Sequence, residues 1–340
     1  MGQPQIQIDT NWIEKELNLH LEEDIGDKIT IRLYTVKSSL VNIDFISISN
    51  FLTRIIPQYA LSAKQIQDDI NRSLRRNESS IRKKNFSLQE DELLKIIEQE
   101  KERVIRESWT SVFNESRIFF RKKGEDYIGG KYGELLLFAL VEGVLNCKMI
   151  AHKITHLTNV NDEVKGSDGV FIGNYKGEDA LLIGESKIMQ SLSNAITDSL
   201  DSINRYHKEI ESAHNTSHEF LIARSDIHKY DDGTIDIDEL FNRLDPRTDS
   251  YREQILVHPI LLMYERAYIK KAIIKAKSSK ELEDILVEEL SKRIKKKKEV
   301  LDLVKSHVED KGLEHAFLDF FLLPVDDVSK FRKAMDAKIQ

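Results

Sequence analysis

The sequence has little cysteine and proline and no long hydrophobic run. Cys147 is the single cysteine in 340 residues, so one chain can form neither a disulfide nor a thiolate metal site by itself. Only 5 prolines are present, as in an ordinary globular chain. The longest apolar runs, such as residues 135–141, are too short to cross a membrane. We expect a soluble protein of a reducing, cytoplasmic environment, with no membrane partner.

The amino terminus lacks the pattern of a targeting signal. No basic segment followed by an apolar stretch occurs there, and Ile6 stands where a myristoylation signal needs Ser or Thr. This agrees with the expected cytoplasmic location.

Acidic residues outnumber basic ones, 58 to 51, for a formal net charge of -7. This balance excludes a protein covered by basic surface. Basic residues nevertheless cluster at 71–85, 117–123 and 292–298, where local faces for DNA or a partner can form. The alternative is that each cluster is the solvated side of an amphipathic helix.

Alternating apolar and polar residues at 29–36 and 43–49 predict strands of a smaller N-terminal α/β unit. We assign residues 1–85 to this unit. We expect it to bind a partner protein, because its sequence is separated from the residues with catalytic chemistry described below.

A connecting helix is predicted within residues 86–124, and Ser87 and Glu90 have the spacing of a capping box at its start. Residues 125–340 then form the main body. Its pattern predicts a buried helix, two strands, a second helix and a further strand, at 133–154, 168–175, 179–187, 191–211 and 219–223.

The two central strands of the main body predict a hairpin that brings acidic residues together. Lys176 and Gly177 supply its tight turn. With that centre, Asp168 lies opposite Glu185, and Lys187 shares the face of Glu185 because alternate residues of a strand point the same way. Two carboxylates and a lysine therefore meet at one end of the hairpin.

This combination favours metal-dependent hydrolysis of a phosphodiester. Neighbouring carboxylates repel unless a cation lies between them, and their oxygens suit Mg²⁺ or Mn²⁺. The ion stabilises the developing charge, while Lys187 can orient or deprotonate the attacking water. We assign the metal site to Asp168, Glu185 and Ser186. The alternative is a structural ion-pair cluster in a non-catalytic module that binds DNA or a partner.

Glu134 is predicted at the start of the buried helix, where the helix dipole favours a carboxylate. Its apolar neighbours at 135–140 predict a position near the sheet. From there it can complete a second metal position or hold Lys187.

Three short motifs together resemble the PD-(D/E)xK nuclease superfamily: GE at 133–134, GSDGV at 166–170 and GESK at 184–187. Four longer stretches within about 125–325 are similar to the HamA family of the Hachiman antiphage defence system, namely 131–143, 165–173, 181–187 and 191–203.

The resemblance implies a restriction-endonuclease-like mixed sheet flanked by helices. It also implies a Mg²⁺-dependent (or Mn²⁺-dependent) deoxyribonuclease that a HamB-like helicase subunit restrains until DNA damage is sensed, without a small-molecule cofactor. Carried over by residue, it makes Asp168 and Glu185 metal ligands, Lys187 the catalytic lysine and Glu134 the helix-borne acid. Ser167 stands where the superfamily name has proline.

Two other patterns have metal-site spacing. His152 and His156 are four residues apart, as in a zinc-binding helix, but lack the accompanying glutamate. Residues 231–240 partly match a calcium loop, although His228 and Tyr230 occupy positions that need oxygen ligands. We favour a helix-end role for the histidines and an acidic surface loop for 231–240.

Overall fold

The computed structural model describes residues 8–43, 45–120, 129–151, 167–212, 223, 236–294 and 299–339. The strands are β1 (Leu17–Ile25), β2 (Ile29–Val36), β3 (Ser38–Ser39), β4 (Asn42–Ile43), β5 (Lys148–Ala151), β6 (Gly169–Tyr175), β7 (Glu178–Met189), β8 (Ile255–Glu265) and β9 (Phe317–Val325).

The α-helices in these residues are α1 (Trp12–Glu16), α2 (Ile46–Arg54), α3 (Ile56–Ala60), α4 (Ala63–Lys84), α5 (Glu90–Ser116), α6 (Gly129–Leu140), α7 (Leu192–Ser212), α8 (Ile237–Arg243), α9 (Asp249–Glu253), α10 (Ala267–Lys275), α11 (Ser279–Lys292), α12 (Glu299–Lys311) and α13 (Val328–Ile339). A 3₁₀ turn follows α5 at Arg117–Phe120, and a π-helical turn follows α6 at Val141–Leu145. Among the described helices, none combines the length and apolar character needed to span a membrane.

Seven strands form one mixed sheet in the order β1-β2-β9-β8-β7-β6-β5. Strands β2, β9, β8 and β7 are parallel neighbours, whereas β1, β6 and β5 pair antiparallel with their neighbours. The predicted α/β class, with a mixed sheet flanked by helices, is confirmed.

Helices cover both faces of the sheet, which explains why β8 and β9 are apolar runs rather than alternating strands. One core cluster packs α6 against residues of β7, β8 and β9 such as Leu182, Leu261 and Phe321. Another packs α7 and α12 against the opposite face, with Ile260 and Phe320. The hairpin β6–β7 is therefore enclosed between α6 and α7.

The predicted buried helix at 133–154 is wrong at both ends. Helix α6 begins at Gly129 and ends at Leu140, the π-helical turn follows, and Asn146 adopts a left-handed φ of 55°. The chain then enters β5, which pairs with β6. An apolar stretch buried on all sides has no periodicity that separates helix from strand, so the sequence concealed this boundary.

Two predictions for the N-terminal half also need correction. The predicted strand at 43–49 is wrong, because helix α2 begins at Ile46. The Ser87–Glu90 capping box is not formed, since Gln89 is the N-cap of α5 and makes no side-chain cap. A capping box occurs instead between Ser62 and Gln65 at the start of α4.

Strands β1 and β2 extend the same sheet as the C-terminal strands. In β2, Arg32 forms a buried ion pair with Asp319 of β9, and Tyr175 of the hairpin donates a 2.8 Å hydrogen bond to the same carboxylate. The hairpin of β1 and β2 is thus held to the rest of the sheet by the Arg32–Asp319 ion pair and by the pairing of β2 with β9. The division at residues 85 and 124 remains a prediction.

Candidate active site at the end of the β6–β7 hairpin

The register predicted for the hairpin is confirmed. Lys176 and Gly177 form its turn with φ values of 52° and 97°, as a tight primed turn requires. Gly169 pairs with Gly184, and the Asp168 N–H donates to the Gly184 carbonyl at 2.9 Å. The pairs end at Gly169 and Gly184, so Asp168 lies one residue beyond them and its predicted pairing with Glu185 remains a prediction.

The carboxylate of Asp168 is held by Ser186. Its Oδ2 accepts hydrogen bonds of 2.7 Å from both the backbone N–H and the hydroxyl of Ser186. Asp168 precedes the first residue of β6, so the alternating side-chain directions of a strand do not determine where its carboxylate points. Two donors on one oxygen fix the direction of the other oxygen.

Successive residues of β7 point alternately toward α6 and toward α7. A Cβ on Gly133 of α6 would lie 3.0 Å from the Ser186 hydroxyl, and a Cβ on Gly184 would lie 2.8 Å from Leu137 of α6. Lys187, in contrast, lines a groove with residues of α7. Ser186 thus faces α6, whereas Lys187 faces α7.

Glu185 and Lys187 form the second pair of the site. The Lys187 Nζ lies 2.5 Å from Glu185 Oε1, and the side chain of Lys187 is 27% exposed against 8% for Glu185. The lysine therefore reaches solvent beside a carboxylate that is almost buried. An ammonium group near a phosphodiester can donate to it while Glu185 keeps its position.

Glu134 is buried, as its apolar neighbours predicted, but it does not lie at the start of its helix. It lies in the second turn of α6, beyond the first turn where the helix dipole acts strongly. Its Oε2 accepts a 3.1 Å hydrogen bond from the Tyr59 hydroxyl of α3, whereas the Lys187 ammonium bonds to Glu185. The N-terminal unit is therefore not separated from the site, because Tyr59 contacts one of its predicted residues.

Comparison with known families gives a match that covers nearly the whole chain. A family model described as HamA matches residues 7–339. This chain belongs to the HamA family. Membership fits a component of the Hachiman antiviral defence system. A search of curated proteins found no match.

The HamA match includes the N-terminal unit as well as the hairpin. The motifs that resemble HamA lie within about 125–325. The family match is longer and also includes strands β1 and β2 and helix α13. The match thus includes every strand of the sheet of this chain, with its N-terminal strands.

The donor chemistry of this HamA-family site fits Mg²⁺ or Mn²⁺. Asp168 and Glu185 are each 6% exposed and offer oxygen ligands. Within the described part of the chain, no group of three or more His, Cys, Asp or Glu side chains could hold a metal ion. Mg²⁺ is commonly bound by only one or two carboxylates together with waters and substrate phosphates, so the residue types present fit this ion.

The histidine pair and the calcium-like loop were the other candidate sites of this HamA-family chain, and Cys147 is its single cysteine. His152, His156, His228, Tyr230 and residues 231–235 lie outside the described residues, as does most of the predicted strand at 219–223. Asp236 caps α8 by accepting from two backbone N–H groups. Burial raises the pKa of Cys147 to about 12, which keeps its thiol protonated and excludes it as a nucleophile at neutral pH.

A buried histidine pair connects α7 to the sheet. The Nε2 atoms of His207 and His258 are 3.0 Å apart, and His258 is fully buried. Burial, followed by repulsion from His207, lowers the pKa of His258 to about 3. His258 is therefore neutral at physiological pH, and one histidine donates to the other.

Sequence reasoning missed Tyr59 and the cations of α7. Tyr59 is 75 residues from Glu134, and no motif connects them. Arg205 and Lys208 lie in the groove with Lys187, and the sequence around them is less basic than the segments at 71–85, 117–123 and 292–298. Their spacing of three residues on a predicted helix was the available signal.

Proposed function

We propose that this chain is the metal-dependent DNA nuclease of a Hachiman defence system, hydrolysing phosphodiester bonds under the control of a helicase partner. The observation that carries the proposal is that Asp168, Glu185 and Lys187 lie at one end of a hairpin, where Asp168 is hydrogen-bonded to Ser186 and Lys187 is paired with Glu185. Family membership supports the defence role.

The order of elements around the hairpin also supports nuclease chemistry. Helix α6 is followed by β5, β6 and β7, then by α7 and by β8 parallel to β7. This is the succession expected of a restriction-endonuclease-like core, and β5 supplies the strand that the sequence had concealed. Glu185 and Lys187 lie near the carboxyl end of β7, the usual end for ligands in parallel strands.

Each residue has a distinct part in the proposed reaction. When bound, Mg²⁺ or Mn²⁺ supplies positive charge against the phosphodiester and activates a water. Asp168 and Glu185 hold the ion, and Ser186 orients Asp168 through its N–H and hydroxyl. Because its hydroxyl donates to Asp168, Ser186 serves as an orienting residue more readily than as a hydroxyl ligand.

We assign Lys187 the role of a charged donor rather than of a base. Its short hydrogen bond to Glu185 is the contact of an ammonium with a carboxylate. An ammonium in this position can orient the attacking water and stabilise charge on the phosphate. We assign Glu134 a structural role beside the site, because it accepts a hydrogen bond from Tyr59.

A partner protein would control the proposed active site through the contact between Tyr59 and Glu134. Residues 1–85 include α3, so a HamB-like helicase bound to this unit would act on the helix that carries Glu134. Substituting exposed residues of 1–85 in the full chain and measuring helicase binding would locate the partner surface, since a cut at residue 85 would separate β2 from β9.

The decisive experiment uses a Lys187→Ala variant of the full chain. The wild-type protein, alone and with the helicase partner, is given DNA with Mg²⁺ or Mn²⁺, and cleavage is followed on a gel. We expect Lys187→Ala to lower the cleavage rate at least 100-fold, since one preorganised donor contributes about that much. Lys292→Ala, which removes an exposed lysine paired with Glu288, is the control and should cleave normally.

The same experiment tests the alternative of a non-catalytic module. Full cleavage by Lys187→Ala would show that the site is assigned wrongly. Absence of both cleavage and Mg²⁺ binding by calorimetry, with helicase binding intact, would favour the module. The Glu185–Lys187 ion pair is the observation that favours it, because a structural hairpin also uses such a pair.

A further inference from the structure

The groove beside Lys187 is built by one face of α7. It has a volume of about 490 Å³, and its lining consists of Lys187, Asp198, Asp201, Ser202, Asn204, Arg205 and Lys208. The six residues from α7 recur at intervals of three and four, which places them along one stripe of the helix. The groove is therefore continuous with the proposed active site and lies on its solvent side.

Two cations of this groove have no acidic partner. Lys187 is paired with Glu185, and Asp201 is paired with Lys311 at 2.5 Å. Among the described residues, Arg205 and Lys208 form no ion pair, and Arg205 donates instead to the Ser202 hydroxyl at 3.0 Å. Both side chains belong to exposed residues.

Two arginines of α4 and α5 provide a contrast, because they are paired. Arg82 is bound to Glu78 and Glu90, and Arg103 is bound to Glu100 and Glu107. Those cations are already neutralised by neighbours within α4 and α5. The unneutralised pair on α7 thus lies where a polyanion that enters the active site would pass.

We propose that Arg205 and Lys208 bind backbone phosphates of the DNA strand next to the bond cleaved at Lys187. The inference rests on the proposed nuclease function. Exposed, unpaired cations exchange their counterions for phosphates on binding, which favours the complex most strongly at low salt. Asn204 and Ser202 add neutral hydrogen-bonding groups to the same wall, and Asp198 is an anion of the groove that has no ion pair within the described ranges.

The test is DNA binding by the full chain without divalent cations, so that cleavage cannot interfere. A fluorescent DNA duplex is titrated at several salt concentrations with wild type and with Arg205→Gln/Lys208→Gln. We expect at least tenfold weaker binding at low salt and a salt slope reduced by about two, near one for each lost phosphate contact. Asp198→Asn should change affinity in the opposite direction, because it removes a repelling charge.

The matched control is Lys101→Gln/Arg103→Gln, which removes the same charge from α5, where both residues are paired with glutamates. It should leave the salt slope unchanged. An equal loss of slope in the control and the groove variant would overturn the inference, because net charge alone would then explain it.

Cleavage assays separate this inference from the nuclease proposal. If wild type cleaves DNA and the groove variant keeps the same KM and salt slope, the inference is wrong and the nuclease proposal stands. If neither wild type nor Lys187→Ala cleaves but the groove variant loses salt slope, the groove binds DNA and the nuclease proposal fails. A raised KM with a nearly unchanged kcat supports both.

Discussion

At the scale of single residues, the site depends on what holds each carboxylate. Asp168 is fixed by two donors from Ser186, whereas Glu185 is fixed by the ammonium of Lys187. Groups that orient a metal ligand commonly affect metal affinity and activity 10- to 100-fold although they do not touch the ion. The hydroxyl of Ser186 is therefore a direct test of whether Asp168 is a ligand.

We predict that Ser186→Ala weakens Mg²⁺ binding and lowers cleavage about tenfold. The backbone N–H of residue 186 remains, so Asp168 loses one of its two donors and part of its fixed direction. Metal affinity is measured by calorimetry and activity by DNA cleavage.

Ser199→Ala is the matched control, because Ser199 is fully buried and its hydroxyl bonds only to the Ile196 carbonyl within α7. Unchanged Mg²⁺ affinity in Ser186→Ala would contradict the role of Asp168 as a ligand.

Most of the site was predictable from the sequence, because a two-residue turn fixes every pair of a hairpin. Lys176 and Gly177 were sufficient to place Gly169 opposite Gly184, next to Asp168 and Glu185 in the sequence. The Ser186 hydrogen bonds were not predictable, since Asp168 lies before β6 and strand alternation does not govern its side chain. The Tyr59 contact with Glu134 depends on how distant segments pack, which local patterns do not report.

At the scale of elements, the position of the site depends on the close approach of α6 to β7. Gly133 and Gly184 allow this approach, since a Cβ on either would lie 3.0 Å or less from a side-chain atom of the other element. The sequence predicted α6 and both strands of the hairpin but merged β5 with α6. Residues 145–151 are apolar enough to be buried in either structure, so only the sheet determines that they are a strand.

Gly184→Ala is predicted to destabilise the protein by about 1 to 3 kcal/mol through overpacking. Its Cβ would meet Leu137 at 2.8 Å and Phe171 at 3.2 Å, in the buried contact between α6 and β7. The free energy of unfolding is measured by urea titration.

The comparison is Gly130→Ala in α6, where a Cβ would have no neighbour within 4 Å. That change should be neutral or stabilise by up to about 1 kcal/mol, because alanine favours a helix over glycine. Equal stabilities for the two variants would mean that α6 and β7 are not in close contact.

At the scale of the whole molecule, the sheet joins residues from both ends of the chain. Strand β2 pairs with β9, and Arg32 with Asp319 adds a buried ion pair between them. On the other face, His258 connects β8 to α7 through His207, and α7 carries the groove cations. Conditions that charge His258 should therefore loosen the helix that forms the groove.

The charge state of His258 predicts a loss of stability in mild acid. Its pKa is near 6.5 in the unfolded chain and is lowered to about 3 in the folded protein by burial and by His207. The stabilisation that comes from neutral His258 is complete above the pKa of the unfolded chain. It is lost as pH falls toward 3, because the unfolded chain then binds a proton that the native state excludes. Between pH 7 and pH 5 this amounts to about 2 kcal/mol.

His258→Leu tests this prediction, since leucine suits the apolar β8 and cannot be protonated. Urea unfolding at pH 7 and pH 5 should give a smaller decrease in unfolding free energy for the variant than for wild type, by about 2 kcal/mol. His207 contacts His258 and loses this neighbour in the variant, so His207→Leu is measured at the same two pH values to separate its share; groups distant from the pair contribute alike to both proteins. Equal decreases would mean that His258 can accept a proton in the folded state, and α7 would then have to move away from β8 to hydrate it.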